Sequence, residues 1–171
     1  MAKLTSEEYQ AAFKQCIAFL YSIPDTIDAR DVRNSEEYQD QSVDLQWIRS
    51  AGKEKERTSE LIKVCFSPEP APDRYFFEIL DGNDKRKPGW FSSSKADLLF
   101  YYFLDLGELH ILLIREFKPW LVKNMKNFQV QPCPSNDILP VPMGLGCTVR
   151  QFDLPASLQE SIVQVDMRDF E

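Results

Sequence analysis

Residues 43–47 have the sequence VDLQW, in which apolar side chains alternate with polar ones as in a strand that buries one face. Two further apolar runs follow at residues 61–66 and 74–80, and turn-forming residues separate them. Strands in succession, with helical patterns before and after them, are typical of a sheet covered by helices. The sequence therefore predicts an α/β fold with a mixed sheet flanked by helices.

A helical pattern precedes these strands. Apolar side chains recur at helical spacing over residues 5–22, Glu7 and Glu8 suit the positive end of a helix dipole, and Pro24 follows. The pattern predicts an amphipathic helix over residues 5–22. The polar stretch 25–40 is predicted to be irregular.

We place the whole chain, residues 1–171, in one domain with a core over about 40–130 and a C-terminal extension over about 131–171. The second half of the chain contains further predicted elements. The predicted elements are a helix over 95–103 after the serine cap at 92–94, a strand over 108–114, a helix over 115–125 interrupted early by Pro119, a loop over 131–144, a last edge strand over 147–152 and a last short helix over 155–163.

Composition limits the classes of function. The net charge is -7, whereas a nonspecific nucleic-acid binder is usually basic because phosphate neutralisation carries its affinity. No apolar run approaches the roughly 18–20 residues that a membrane span needs, and residues 1–8 lack the apolar core of a signal peptide. We therefore expect no membrane span and a cytoplasmic location.

The metal-binding residue types give little support for a zinc site. The cysteines, Cys16, Cys65, Cys133 and Cys147, form no CxxC pair, and His110 is the single histidine. In a reducing cytosol we interpret the cysteines as small buried hydrophobes or inert thiols.

Carboxylates and a lysine lie on the predicted strands. Asp44 is on the first, Lys63 on the second with Glu60 three residues before it, and Glu78 on the third. Because side chains on one face of a strand recur every two residues, groups on neighbouring strands can converge. Asp44, Lys63, Glu60 and Glu78 are therefore the candidate site residues.

The order of these residues resembles the PD-(D/E)XK nuclease superfamily, in which an acid precedes a strand carrying an acid and a lysine. Residues 76–79 (FFEI), 87–91 (KPGWF) and 94–103 (SKADLLFYYF) look like a group of uncharacterised cyanobacterial and phage proteins that resemble these nucleases. Residues 146–155 are similar to the C-terminal portion of that group. The resemblance covers about two-thirds of the chain and implies a restriction-endonuclease-like sheet.

The resemblance also implies a chemistry. Asp44 and an acid near Lys63 would bind Mg²⁺, which takes oxygen ligands and keeps several waters. Lys63 would orient the attacking water and stabilise charge on the phosphate of a DNA substrate, while the ion activates the water and the leaving oxygen.

The chain departs from the family at one decisive position. The family spacing is acid, any residue, lysine, but the acid position here is Leu61. Glu60 lies one residue further back and points to the face opposite Lys63 unless a bulge intervenes. Glu78 on another strand is then the substitute acid, or the site has decayed.

Two functions stay open at this point. The first is a Mg²⁺-dependent nuclease acting on DNA, with Asp44, Lys63 and Glu78 as catalytic residues and Asp44, Glu78 or Glu60 as metal ligands. The second is a non-catalytic module that keeps the nuclease fold and binds a protein partner, which the net charge and Leu61 favour.

Several conspicuous side chains have simpler structural interpretations. We expect Asp97 to be a helix first-turn charge, His110 to be packed, Trp90 to close a turn and the aromatic run 100–103 to be core rather than a base-stacking platform. The basic side chains around the first strands are interpreted as solvated loop charges, although phosphate contact is the alternative for them: Arg33, Arg49, Lys53, Lys55 and Arg57.

Overall fold

A computed structural model describes residues 6–51, 56–67, 73–82, 84, 86–132 and 144–170 of this chain. Its helices are α1 (Ser6–Ser22), α2 (Glu36–Gln39), α3 (Trp90–Ser93), α4 (Ile114–Asn124) and α5 (Ala156–Glu160). Its strands are β1 (Thr26–Asp31), β2 (Leu45–Ala51), β3 (Glu56–Ser67), β4 (Arg74–Leu80), β5 (Leu98–Phe103), β6 (Glu108–Leu113), β7 (Val130–Pro132), β8 (Leu145–Arg150) and β9 (Val163–Asp166).

The strands form two sheets. The larger is six-stranded and mixed, with the order β1-β2-β3-β5-β6-β9, and its one parallel pair is β3 with β5. The smaller is antiparallel, with the order β4-β8-β7. The mixed α/β class with a helix-flanked sheet is therefore confirmed, whereas the smaller sheet was not predicted.

Each face of the six-stranded sheet has its own apolar cluster. On one face, α1 contributes Ala12, Phe13, Cys16 and Leu20, which repeat every three or four residues and pack against the sheet. We call this the α1 face. On the other, β4 and β8 of the small sheet pack with α4 against β5 and β6, and we call this the small-sheet face.

The predicted helix over residues 95–103 is wrong, because residues 98–103 form strand β5. All of its side chains are buried, since β5 lies between β3 and β6 with both faces covered. A fully buried strand has no alternation to distinguish it from a buried helix. The short helix in this region, α3, instead precedes the predicted one.

The irregular structure predicted for 25–40 is also wrong. This stretch contains the edge strand β1 and the short helix α2. Most side chains of β1 are partly or fully exposed, which is why its sequence is polar. The predicted edge strand over 147–152 corresponds to β8, which lies at the centre of the small sheet. The last strand is β9, which pairs with β6.

Other predicted elements are confirmed as elements. These are the first helix, the strands at β2, β3, β4 and β6, and the helix at α4, which continues through Pro119. However, β2 ends four residues after the predicted 47, and β3 begins five residues before the predicted 61. The helix predicted over 155–163 is shorter, ending at Glu160. Most of the predicted loop 131–144 and the turn residues Lys53 and Lys55 lie outside the described residues.

Cys16, Cys65 and Cys147 are free thiols in hydrophobic surroundings. Cys16 and Cys147 are buried, and burial raises their pKa values to about 12 and about 11. Cys65 is half-buried, and Cys133 lies outside the described residues.

No helix in the described part of the chain is long and apolar enough to cross a membrane.

Candidate functional site around Asp44 and Lys63

Asp44 and Lys63 meet as a cross-strand pair. The antiparallel register of β2 and β3 places Leu45 opposite Ile62, so Asp44 lies one step further along, opposite Lys63. Lys63 Nζ is 2.9 Å from Asp44 Oδ2, and the same oxygen accepts a hydrogen bond from the Val64 N–H at 2.7 Å. The structure therefore brings together two of the predicted site residues.

The pair is largely shielded from water. The Asp44 and Lys63 side chains are 14% and 18% exposed. Burial acts to lower the pKa of Lys63, but the Asp44 carboxylate, with smaller contributions from Cys65 and Tyr9, raises that pKa above its ordinary value. Lys63 is therefore held as a cation, and its charge is directed at Asp44.

Helix α1 contributes a further ionisable group near this pair. Burial, followed by the Asp44 carboxylate, raises the pKa of Tyr9, while Lys63 and Arg33 oppose that shift. Arg33 itself is bound by Asp31 at 2.7 Å and stacks over Phe13, with its Cζ 3.6 Å from the ring centroid. Arg33 is thus a structural contact of α1 in this arrangement.

Glu60 lies on the opposite side of β3. Its register partner is Trp47, and it shares the α1 face with Ile62 and Val64. Arg49 Nη2 is 2.9 Å from Glu60 Oε2, but the approach does not satisfy hydrogen-bond geometry, so Oε2 and Arg49 Nε are buried without a hydrogen-bond partner in the described residues. The structure does not bring Glu60 to Lys63.

Leu61 takes the position where the family has its acid. It shares the small-sheet face with Cys65, and both pack against the apolar cluster there. Its backbone N–H donates to Asp97 Oδ2 at 2.8 Å, and the Asp97 N–H donates to the Leu61 carbonyl at 2.7 Å. Asp97 therefore fixes the start of β5 against β3 and is not in a helix first turn as expected.

Glu78 belongs to the small sheet, so β4 is not a neighbour of β3 as the candidate site assumed. Its carboxylate lies against glycines: a Cβ added at Gly144 would come within 1.8 Å of Glu78 Oε1, and one at Gly89 within 2.7 Å of Cγ. Burial raises the pKa of Glu78, while a long contact from the Trp90 N–H (3.5 Å) and the charge of Lys63 oppose the shift.

The arrangement of acids can be tested against the needs of Mg²⁺, which requires several oxygen ligands at one point. Asp44 already accepts from Lys63 and Val64, Glu60 is on the other face, and position 61 is apolar. In the described ranges no three His, Cys, Asp or Glu side chains are placed to hold a metal ion. As placed, Asp44 and Glu60 do not together form a two-carboxylate magnesium site.

A buried polar relay was missed by the sequence reasoning. His110 is fully buried, with Nδ1 2.7 Å from the Tyr75 hydroxyl and Nε2 2.7 Å from Glu108 Oε1. It joins β6 of the large sheet to β4 of the small one. The alternation around His110 predicted only that it is packed, which its burial confirms.

A cleft of about 700 Å³ was also missed. It lies where the small sheet meets the end of α4, and Arg74 and Arg150 are among its lining residues. These arginines are register partners on β4 and β8. No motif marks them, because the residues are far apart in the sequence and pair only through the sheet.

The aromatic residues have the structural roles that we expected. The run 100–103 is buried in β5, and Trp90 is half-buried and contacts Phe77 and Phe91 at centroid distances of 6.2 and 5.7 Å.

Searches with this chain found no matching protein-family model, no matching curated protein and no matching solved structure.

Proposed function

We propose that this chain is a nuclease-like protein with a restriction-endonuclease-like sheet that does not cleave DNA and that works by binding a protein partner. The resemblance at residues 76–79, 87–91 and 94–103 supports the nuclease-like part. The meander β1-β2-β3, the parallel strand β5 and the facing Asp44 and Lys63 are compatible with it.

The observation that carries the non-catalytic part is the state of Asp44. Its Oδ2 is neutralised by Lys63 and by the Val64 N–H, and the neighbouring acid position on the same face is Leu61. Asp44 Oδ2 has to give up Lys63 before it can bind a metal ion, and Asp44 already takes one of the three ammonium donors of Lys63. The pair then serves to join β2 to β3.

The charge of the chain supports a protein partner rather than direct contact with DNA. A net charge of -7 repels a polyphosphate and attracts a basic protein surface, which also raises the rate of encounter. Association of this kind takes place in the cytoplasm in our proposal.

A second candidate function is the Mg²⁺-dependent nuclease, and Glu78 is the observation that favours it. Its carboxylate is half-buried, its pKa is raised by burial, and the charge of Lys63 acts on it. In that case Asp44 and Glu78 would hold the ion, after Asp44 has exchanged Lys63 for it.

Restoring the missing acid separates the two functions. We would titrate Mg²⁺ and Mn²⁺ by calorimetry into the wild-type protein, Leu61→Asp and the isosteric control Leu61→Asn, and assay plasmid nicking by each. We expect no saturable binding by the wild type, and binding by Leu61→Asp alone, because only that variant adds a carboxylate beside Asp44.

The outcomes have distinct meanings. Saturable binding and nicking by the wild type that are lost in Glu78→Gln and in Lys63→Ala would overturn the proposal in favour of the nuclease. Absence of binding by the wild type, together with a partner recovered at defined stoichiometry, would support it. Thermal melts of both Leu61 variants control for their folding.

A further inference from the structure

The cleft beside the small sheet has the chemistry of a ligand site rather than of a packing defect. Its volume of about 700 Å³ falls in the range of small-molecule pockets, about 300–1,000 Å³. Trp120 and Phe128 supply aromatic rings to its wall, with centroids 5.8 Å apart, and both are only partly buried. The other lining residues are polar or charged, so the cleft combines two rings for stacking with many hydrogen-bonding groups.

The cationic groups of this cleft are held in place by the sheet. Arg74 and Arg150 face each other as register partners. Arg150 is fixed by two contacts with Asp153, Nε to Oδ2 at 3.1 Å and Nη2 to Oδ1 at 3.2 Å, and it stacks over Phe152 at 4.0 Å. Asp153 also lines the cleft, so part of the charge of Arg150 is already neutralised.

Arg74 is the cation with more capacity for a ligand. Among the described residues its ion-pair partner is Asp73, at the long distance of 3.7 Å from Nε, and half of the Arg74 side chain is exposed. A guanidinium presents several donors in a planar fork that matches the oxygens of phosphate. Arg74 therefore has more donor capacity left for an anionic group in the cleft than Arg150 has.

Amide side chains provide the remaining polar groups. Gln131 donates to Thr148 Oγ1 at 2.6 Å, and Asn127 and Gln129 also line the cleft. Amides carry both donors and acceptors, which match the edge of a nucleobase, whereas an anion alone needs only donors. Aromatic rings beside them suit the flat face of the same base.

We propose that the Arg74–Arg150 cleft binds a nucleotide unit, with the base against Trp120 and Phe128 and the phosphate at Arg74. The unit is either a free nucleotide or the end of a single strand, since both present one base and one phosphate. The net charge of -7 disfavours a long polyphosphate, and the cleft volume suits a single unit. This site is separate from Asp44 and Lys63 and does not depend on the function proposed for them.

The test is calorimetry with the full chain. The probes are nucleoside 5′-monophosphates, a short single-stranded oligonucleotide, inorganic phosphate and poly-glutamate. The variant Arg74→Gln is matched by Arg86→Gln, because Arg86 is 91% exposed, pairs with Asp84 and is not among the cleft residues. Phe128→Leu removes a ring and keeps an apolar side chain.

We expect saturable binding of the base-bearing probes. Arg74→Gln should weaken it about tenfold, the loss of one charge-assisted hydrogen bond, and Arg86→Gln should leave it unchanged. Phe128→Leu should weaken the binding of nucleotides but not the binding of inorganic phosphate. Binding of monophosphates as tight as that of the oligonucleotide assigns the site to free nucleotides, and tighter oligonucleotide binding assigns it to strand ends.

Three results would overturn the proposal. The first is no saturable binding of any base-bearing probe by the wild type. The second is an equal effect of Arg74→Gln and Arg86→Gln. The third is displacement of nucleotides by poly-glutamate at matching charge concentration, which would make the cleft a site for acidic peptides.

Discussion

Two ion pairs connect residues 44–51 to β3, one on each face of the sheet. They have the same length but differ in exposure and in hydrogen bonding. Lys63 to Asp44 and Arg49 to Glu60 both measure 2.9 Å. The first pair is under a fifth exposed and is reinforced by the Val64 N–H. The second is about a third exposed and lacks hydrogen-bond geometry.

The face of a strand on which a charged residue lies decides which partners it can reach. Glu60 is three positions from Lys63 along the chain, yet the alternation of β3 places it on the α1 face. There it pairs with Arg49, whose guanidinium stacks over the Trp47 ring. An acid at position 61 would have joined Asp44 and Lys63. The chain has leucine there, so its acids are divided between two faces.

Removing Lys63 should have the largest effect on stability. In Lys63→Met, Asp44 keeps only the Val64 N–H as a partner in a site that excludes most water. We expect a loss of about 2–4 kcal/mol in the free energy of unfolding, below the full cost of a completely buried pair because some exposure remains. Urea unfolding measures it, and a loss under about 1 kcal/mol would show that the pair behaves as a surface contact.

A substitution at the buried Tyr75–His110 contact tests whether burial, rather than charge, decides how much a polar contact on the small-sheet face stabilises the fold. Tyr75→Phe removes the hydroxyl that is 2.7 Å from His110 Nδ1 and leaves a buried nitrogen unpaired. We expect a loss of about 1–3 kcal/mol. The comparison variant is Tyr21→Phe, whose side chain is 53% exposed and whose hydroxyl donates to Asp28 at 2.9 Å and accepts from the Ala29 N–H at 3.2 Å. Similar losses in the two variants would contradict the role of burial.

The pair on the α1 face should matter less. Glu60→Gln removes the charge and keeps the size of the side chain. Because the Arg49 and Glu60 side chains are 35% and 27% exposed and the two groups are poorly aligned, we expect a change under about 1 kcal/mol in the free energy of unfolding. A loss as large as that of Lys63→Met would mean that both faces hold their charges equally tightly.

The smallest effect is a pH dependence at Glu78. Because burial raises its pKa in the folded state above 4.5, its contribution favours folding below that pH and is lost as the pH rises through the folded-state value. The stability of the wild type relative to Glu78→Gln should therefore increase from neutral pH down to about 4.5. A relative stability that falls over this range would show that Glu78 is stabilised as an anion.

Local patterns predicted much of the fold. The stripe of Phe13, Cys16 and Leu20 predicted α1, and the apolar run 74–80 predicted β4 at its observed bounds. Tertiary context prevailed elsewhere. Residues 98–103 form a strand because they lie between β3 and β6, and 26–31 pair with β2 although their own side chains are mostly polar.

The candidate site was predictable only in part. Alternation on two adjacent strands was enough to propose that Asp44 and Lys63 face each other and that Glu60 does not. The position of Glu78 was not predictable, because β4 is not part of the large sheet and pairs instead with β8, which lies near the other end of the sequence. The same nonlocal pairing brings Arg74 to Arg150, so the cleft had no signal in the sequence.

A double-mutant cycle with Asp44→Asn and Lys63→Met, repeated with and without excess Mg²⁺, distinguishes a closed structural pair from an Asp44 that binds metal. If the pair is a closed structural contact, the coupling free energy is about 1–3 kcal/mol and Mg²⁺ leaves it unchanged. If Asp44 is a metal ligand, Mg²⁺ stabilises the wild type by mass action but not Asp44→Asn, and the coupling changes with the ion. That second result would contradict the account.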